Sequence, residues 1–306
     1  MEISRRNLIL AIAAKAWSQE ASIFSTNVKV VSLLATVRDK DGKIVNNLIQ
    51  DDFVLEEDGK PQTIRYFSRE SDLPLTIGLL VDTSRSQEGV LETERRASLT
   101  FLDQVLREDK DKAFVVSFDV NVAILQGLTS SKKELEAALD RLQIPGQFAT
   151  LIFSAIRDSS ENILRKQAGR KAVILLTDGV AFRDPVSIGA AIEFAQRADA
   201  IVYSIRYSDR TPMFRPIRSA VMGIAKERGK EGLERMARET GGASYEVRNS
   251  ETIEQIYSRI ENALRNQYSI GYTPLRPTGD GKYRKIKLKT KDRNLVVTTR
   301  DGYYAQ

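Results

Sequence analysis

Leu75-Thr76-Ile77-Gly78-Leu79-Leu80-Val81 runs nearly unbroken in apolar residues and ends abruptly on Asp82-Thr83-Ser84-Arg85-Ser86. A short continuous apolar run reads as a strand buried on both faces, the signature of a parallel sheet covered by helices. Two further runs match it, Ala172 to Leu176 and Ile201-Val202-Tyr203-Ser204-Ile205. Between them lie segments with apolar residues at helical spacing: Ala97, Phe101, Leu102, Val105 and Leu106; Leu135, Ala138, Leu139 and Leu142 behind a capping box at Ser131 and Glu134; Ile188, Ala191, Ile192 and Ala195. Leu233, Met236 and Ala237 mark another helix, stopped by Gly241-Gly242, and Ile253, Ile256, Tyr257, Ile260 and Leu264 the last. One hairpin interrupts the alternation, with Ala113 to Phe118 and Val122 to Leu125 flanking Asp119-Val120-Asn121. Residues 73–266 therefore predict an α/β domain built on a doubly wound, mostly parallel sheet.

The flanks follow a different period. Within residues 22–70, Val28 to Val37 is β-branched and apolar, Asp39 to Gly42 and Asp58-Gly59-Lys60-Pro61 read as turns, and Thr63 to Phe67 alternates. Within residues 268–306, Tyr268 to Tyr272, Lys282 to Lys291 and Leu295 to Thr299 read as strands. Neither flank is long enough to cover two sheet faces alone. The expected arrangement is one smaller all-β domain, made from both flanks and interrupted by the α/β insertion; two separate β appendages are the alternative.

Composition narrows the chemistry. The 306 residues contain no cysteine and no histidine. Disulfides, thiolate and imidazole metal sites, cysteine nucleophiles and histidine bases are all excluded together. What remains is carboxylates, hydroxyls, amines, or a hard metal held by oxygen. No segment beyond the N-terminus reaches the ~18 uninterrupted apolar residues of a membrane span. Residues 1–16 read as an export signal, with Arg5 and Arg6 before the apolar core Leu8 to Ala14 and Ala14-Lys15-Ala16 as the cleavage site. Ser4-Arg5-Arg6-Asn7-Leu8 resembles a twin-arginine signal, and an exported protein (periplasmic, secreted or envelope-associated) is expected. Cleavage would leave 44 basic and 40 acidic side chains, lowering the net charge from +6 to +4. So mild a balance gives no sign of nucleic-acid binding.

The loop after the first parallel strand is where an open sheet binds ligands. Asp82, Ser84 and Ser86 alternate there and can turn three oxygens toward one point. Oxygen-only donors suit Mg²⁺ in octahedral geometry, with Mn²⁺ or Ca²⁺ as alternatives. Thr150, just where a helix should begin, and Asp178, at the end of the neighbouring strand, bring the set to five on one sheet edge. The bland reading is a degenerate site whose side chains only cap loops.

This set resembles the metal-ion-dependent adhesion site (MIDAS) of von Willebrand factor type A (VWA) domains, a Rossmann-like fold. The likeness spans about residues 73–266. It implies that Ser84 and Ser86 hold the metal directly, and that Asp82, Thr150 and Asp178 do so directly or through water. It also implies an open coordination position for an Asp or Glu of a protein ligand. The flanks, Asp52-Phe53-Val54-Leu55-Glu56-Glu57-Asp58-Gly59-Lys60-Pro61-Gln62, Gly271-Tyr272 and Gly281-Lys282-Tyr283-Arg284-Lys285, resemble exported VWFA-related proteins described from Acidobacteria. One departure is that Phe148-Ala149 replaces the glycines usual before the threonine.

The expected function is a non-enzymatic, metal-dependent binding or adhesion module. A scaffold subunit that docks on an assembly complex is the alternative. A Mg²⁺-dependent phosphoryl hydrolase fits poorly, because position 84 is serine where that class needs a second acid. Two basic features accompany the site. Residues 206–230 read as a long basic loop on the metal-bearing face, able to steer acidic partners or meet an anionic envelope surface. Lys282, Arg284, Lys285, Lys287, Lys289 and Lys291 read as exposed cations protecting an edge strand, or as a second anionic contact.

Overall fold

The structure, a computed structural model, describes residues 30–69, 73–145, 148–207, 216–276 and 279–305, with backbone alone over 216–222. The leader expected at 1–16 lies outside the described residues. The N-terminal flank supplies β1 (Val31–Arg38), β2 (Phe53–Glu57), β3 (Lys60–Gln62) and β4 (Ile64–Ser68). The central region follows as β5 (Leu75–Asp82), α1 (Leu91–Val105), β6 (Lys112–Phe118), β7 (Val122–Thr129), α2 (Lys132–Leu139), α3 (Ile152–Asn162) and β8 (Arg170–Thr177). It continues with α4 (Ile188–Arg197), β9 (Ala200–Tyr207), α5 (Pro216–Thr240), β10 (Ser244–Val247) and α6 (Ile253–Arg265). The C-terminal flank supplies β11 (Tyr268–Tyr272), β12 (Tyr283–Thr290), β13 (Val296–Thr298) and β14 (Gly302–Tyr304).

The central sheet has the order β10-β9-β8-β5-β6-β7, parallel throughout except for β7 against β6. All eight residues of β5 are buried, as its continuous apolar run requires. Leu75, Ile77, Leu79 and Val81 face a core shared with α1, α2 and α6, while Leu80 faces α3, α4 and α5. Each such side chain contributes roughly 1.5–3 kcal/mol by leaving water. Gly78 is a packing requirement, since a Cβ there would stand 2.3 Å from the Phe114 ring. The chain leaves β5 toward β6 on one side and returns to β8 on the other, so the loops after β5 and β8 diverge at a switch point.

The flanks pair with each other. β11 lies between β1 and β4 in one antiparallel sheet, and β12 between β14 and β2 in another. The two sheets enclose one core of Leu33, Val37, Phe53, Leu55, Tyr268, Ile270, Ile286, Leu288 and their neighbours. The smaller all-β unit is thus made from both ends of the chain, as expected. It stands at the N-terminal ends of β5, β8 and β9, where Leu73, Arg170 and Asp199 meet Ser32, Leu34 and Arg300 around a cavity of about 110 Å³. Arg300 donates to Asp199 Oδ1 (2.6 Å) and to the Ser32 carbonyl (2.7 Å), joining the two units there. The loops bearing the candidate site emerge from the opposite edge.

Two expectations are corrected. Residues 206–230 are not a long loop: Arg206 is buried in β9, ion-paired with Glu246, and Pro216–Thr240 is one 25-residue helix. Residues 208–215 lie outside the described residues. Past Pro216 the stretch has no further proline and is rich in Ala, Lys, Glu and Arg, all strong helix formers. The lysine strand is an edge only in part, because Tyr283 to Lys285 pair with β14 while Ile286 to Thr290, with Lys287 and Lys289, pair with β2 on the other side. Lys285, Lys287 and Lys289 face solvent, whereas Arg284 points inward beside Ile286 and Leu288.

Arg284 answers Glu57, another charge buried in this core, at 3.5 Å. Tyr272 and Tyr303 donate their hydroxyls to Glu57 Oε2 at 2.7 and 3.0 Å. Burial pushes the Tyr303 phenol up to about 12, keeping it a donor. The cluster ties the N-terminal β2 to three strands of the C-terminal flank. Breaking a buried pair from one side strands a charge, so Glu57→Leu or Arg284→Met alone should cost about 3–5 kcal/mol. The double variant should recover most of that loss. Urea midpoints of the four proteins measure both effects.

Candidate functional site

Adjacent strand ends bring the first two parts of the site together. Val81 pairs in register with Leu176, so Asp82 falls beside Thr177, one residue before Asp178. Asp82 is fully buried; its Oδ1 accepts from the Ser84 amide (2.8 Å) and its Oδ2 from the Thr177 hydroxyl (2.6 Å). The turn these bonds impose brings Ser84 Oγ and Ser86 Oγ to 3.1 Å of each other. Ser84 is buried and Ser86 exposed, which leaves the pair open on one side. On the second loop, Asp178 Oδ1 accepts from the Val180 amide at 2.9 Å. Gly179, at φ 87°, lets the chain turn away, and a Cβ on Gly229 of α5 would meet the Gly179 carbonyl oxygen at 2.4 Å.

Thr150 arrives from a third loop and is held on both sides. Its amide and carbonyl pair with those of Phe182, at 2.9 and 3.2 Å, in a bridge to the Asp178 loop. The next amide, Leu151, donates to the Asp119 carbonyl (3.1 Å), and Asp119 Oδ2 accepts from the Thr83 hydroxyl (2.7 Å). Asp184 completes the junction, accepting from the Phe153 and Ser154 amides at 2.6 and 3.1 Å and so capping α3 from the Asp178 loop. Sequence reading missed Phe182, Asp184 and Asp119 in these roles. With Phe148-Ala149 before it, Thr150 is fixed by this pairing.

Whether the five residues suit a hard dication is testable on their own bonding. Adjacent ligands at 2.0–2.1 Å in an octahedron lie about 3 Å apart, close to the Ser84–Ser86 spacing of 3.1 Å. Neither Asp82 nor Asp178 has a basic partner among the described residues. Burial, then the charge of Asp178, pushes the Asp82 carboxyl up to about 7 against the hydrogen bonds from Ser84 and Thr177. Two carboxylates that lack a cation, beside two hydroxyls at ligand spacing, fit Mg²⁺, Mn²⁺ or Ca²⁺.

A third carboxylate stands behind them. Glu94, on α1, is 0% exposed, and neither of its oxygens has a partner. Burial, then the charge of Asp82, pushes its pKa well above the usual range. Its sequence signal was its place on the buried stripe of α1, with Leu91, Ser98 and Phe101. A helix-opening acidic residue is ordinary enough to hide it.

The fold and site together define a class: a doubly wound α/β domain with oxygen donors gathered at its switch point. The family model for the von Willebrand factor type A domain matches residues 76–259, more than half of the chain, and the chain belongs to that family. Among solved structures, proximal thread matrix protein 1 (PTMP1) from the mussel byssus, with a zinc-occupied MIDAS motif, is similar at 15% identity and a TM-score of 0.52. The match covers 68% of this chain and 49% of PTMP1, so the chain spans about half the length of that protein. An aerotolerance-related membrane protein from Bacteroides fragilis is 16% identical, with 62% and 98% covered and a TM-score of 0.47. The pilus adhesin SpaC from Lactobacillus rhamnosus GG is 12% identical, with 81% and 47% covered and a TM-score of 0.49. No curated protein matches the sequence.

Both raised carboxyls carry the same sign. A carboxyl whose folded pKa exceeds its unfolded value supports the fold below the unfolded pKa, and that support is lost as pH rises through the folded one. In EDTA, the melting midpoint should therefore fall between about pH 5 and about pH 8. Replacing Glu94 by Leu removes a buried, unpartnered charge. It should raise metal-free stability at the upper pH by about 1–3 kcal/mol and flatten the profile, read by thermal and urea unfolding at each pH.

Proposed function

We propose that the chain is a metal-dependent protein-binding module that captures an acidic side chain of a partner at the C-terminal edge of its central sheet. Ser84 and Ser86 would hold the cation directly, with Asp82, Thr150 and Asp178 close by or linked through water. Mg²⁺ is the first choice, and Mn²⁺, Ca²⁺ or the zinc of the PTMP1 site are the alternatives to test. A dication with an open position favours an anionic oxygen, which an Asp or Glu of a protein ligand supplies. The observation that carries the reading is the pair of carboxylates, Asp82 and Asp178, without a basic partner beside hydroxyls 3.1 Å apart.

A binding role draws support from how the surrounding residues are used. Thr177 and the Ser84 amide orient Asp82, the Phe182 bridge positions Thr150, and the Val180 amide orients Asp178. Serine at position 84 leaves no general acid two residues after Asp82. Export to the periplasm, envelope or exterior suits the leader expected at 1–16, and argues against a docking subunit of a cytoplasmic assembly. We assign 22–70 and 268–306 to one β-domain, and 73–266 to the VWA domain. A second contact, with an anionic surface, draws on the solvent face of β12, where Lys287 crowds Lys289 and lowers its pKa.

Thermal unfolding in EDTA, then with Mg²⁺, Mn²⁺, Ca²⁺ or Zn²⁺, tests the metal. A ligand of the native state alone stabilises by about 2.7 kcal/mol at a hundred times its dissociation constant. The midpoint should rise with Mg²⁺ or Mn²⁺, and a Ser84→Ala/Ser86→Ala variant should lose the rise. Equal midpoints in EDTA and in all four metals would mean that the loops only cap one another.

A further inference from the structure

We propose that an aromatic and arginine rim around this edge (Phe148, Phe182, Arg85 and Arg183) selects partners whose acidic residue is flanked by large apolar side chains. The inference rests on the acidic-ligand function above and narrows its partner to one chemistry.

Phe148 and Phe182 are 62% and 49% exposed, in a protein whose other large rings are mostly buried. Both stand beside Thr150. Phe148 is two residues before it, and Phe182 is its bridge partner. Residues directly opposite in such a pair carry their Cβ atoms about 5 Å apart, and two extended residues span roughly 7 Å. The rings therefore lie within one or two residues' reach of a side chain bound at the site. Each ring also carries a cation: the Arg85 guanidinium lies 5.8 Å from the Phe148 centroid, and that of Arg183 lies 5.3 Å from Phe182. Arg85 sits between Ser84 and Ser86.

Neither arginine has an ion-pair partner among the described residues. Arg183 adds an independent sign. Its backbone is left-handed, at φ 58°, a conformation that favours glycine and tolerates Asp or Asn. Among the described residues the other two non-glycine residues in that region are aspartates, Asp58 and Asp199. Strain of this kind persists at functional sites, where the side chain is worth more than a relaxed backbone.

Aromatic and arginine side chains dominate binding hot spots, ringed by contacts that exclude water. Here the rings would dry the surroundings of a carboxylate held at the metal, and the two free cations would attract an acidic segment over distance. The complementary partner is an extended, net-acidic segment with a large aliphatic or aromatic residue within two positions of its Asp or Glu.

The test uses the whole chain and two measurements. Calorimetry with Mn²⁺ reports the metal. Panning random dodecapeptides displayed on phage, in Mn²⁺ and in EDTA, reports the partner. Parent protein should enrich, in Mn²⁺ only, peptides in which Asp or Glu has a large apolar neighbour within two positions. A Phe148→Ser variant should bind Mn²⁺ within about twofold of the parent, yet bind the best such peptide at least about tenfold more weakly. Arg183→Gly should melt higher than the parent while binding that peptide less tightly. Manganese-dependent acidic peptides that lack apolar neighbours, held equally by the serine variant, would overturn the rim and leave the acidic-ligand function standing. Mn²⁺ binding without any manganese-dependent peptide, or no Mn²⁺ binding, would overturn function and rim together.

Discussion

Asp82 is carried into the interior by the most deeply buried strand of the sheet, with both its oxygens already taken by a backbone amide and the Thr177 hydroxyl. No arginine or lysine among the described residues answers its charge; Asp178 raises its pKa further, and Asp82 in turn raises that of Glu94. Three acidic groups concentrated at one strand end are costly for an empty fold. The surrounding loops are arranged around that charge: hydroxyls aimed toward it, three loops tied to one another, and the cations Arg85 and Arg183 turned outward onto aromatic rings. The site is a deficit of positive charge that the rest of the edge holds rigid.

That rigidity comes from cross-links between loops. The Thr150–Phe182 bridge, the Asp184 cap on α3 and the Asp119–Thr83 hydrogen bond tie the described loops of the site to one another. Gly229 in α5 presses on the Gly179 carbonyl, so the longest helix is packed directly against the Asp178 turn. Below, the sheet is a solid layer with separate cores on its two faces. The β-sandwich closes the opposite end, and the candidate site and the attachment of the flanks are separated by the full length of the strands.

What was legible in the sequence divides by the range of the interaction. β5, β8 and β9 declared themselves because burial on both faces leaves a continuous apolar run, and Asp82, Ser84, Ser86 and Asp178 because they terminate such runs. Arg284 looked like one more surface cation; its partner, Glu57, lies on a strand from the other end of the chain. The lysines of β12 suggested an edge because charge alone does not reveal a strand's neighbours. The basic stretch before Leu233 looked like a loop because it lacks an apolar stripe, and its helix relies on propensity and pairs such as Lys230–Glu227. The bridge that positions Thr150 joins two loops with no shared local pattern.

The pairing of β4 with β11 has a consequence for a chain without cysteine. Ser68 lies opposite Ser269 and Phe67 opposite Ile270, so the strands leading into and out of the central domain are hydrogen-bonded neighbours. Together they close a loop of about 200 residues, whose closure entropy grows as (3/2)RT ln n and reaches roughly 5 kcal/mol. The β-sandwich thereby acts as a reversible clasp, restricting the unfolded ensemble of the central domain as a covalent staple would. Unlike a disulfide, the clasp opens when the sandwich melts, so the two units share their stability and a weakened sandwich loosens the loops around Asp82 that it never touches.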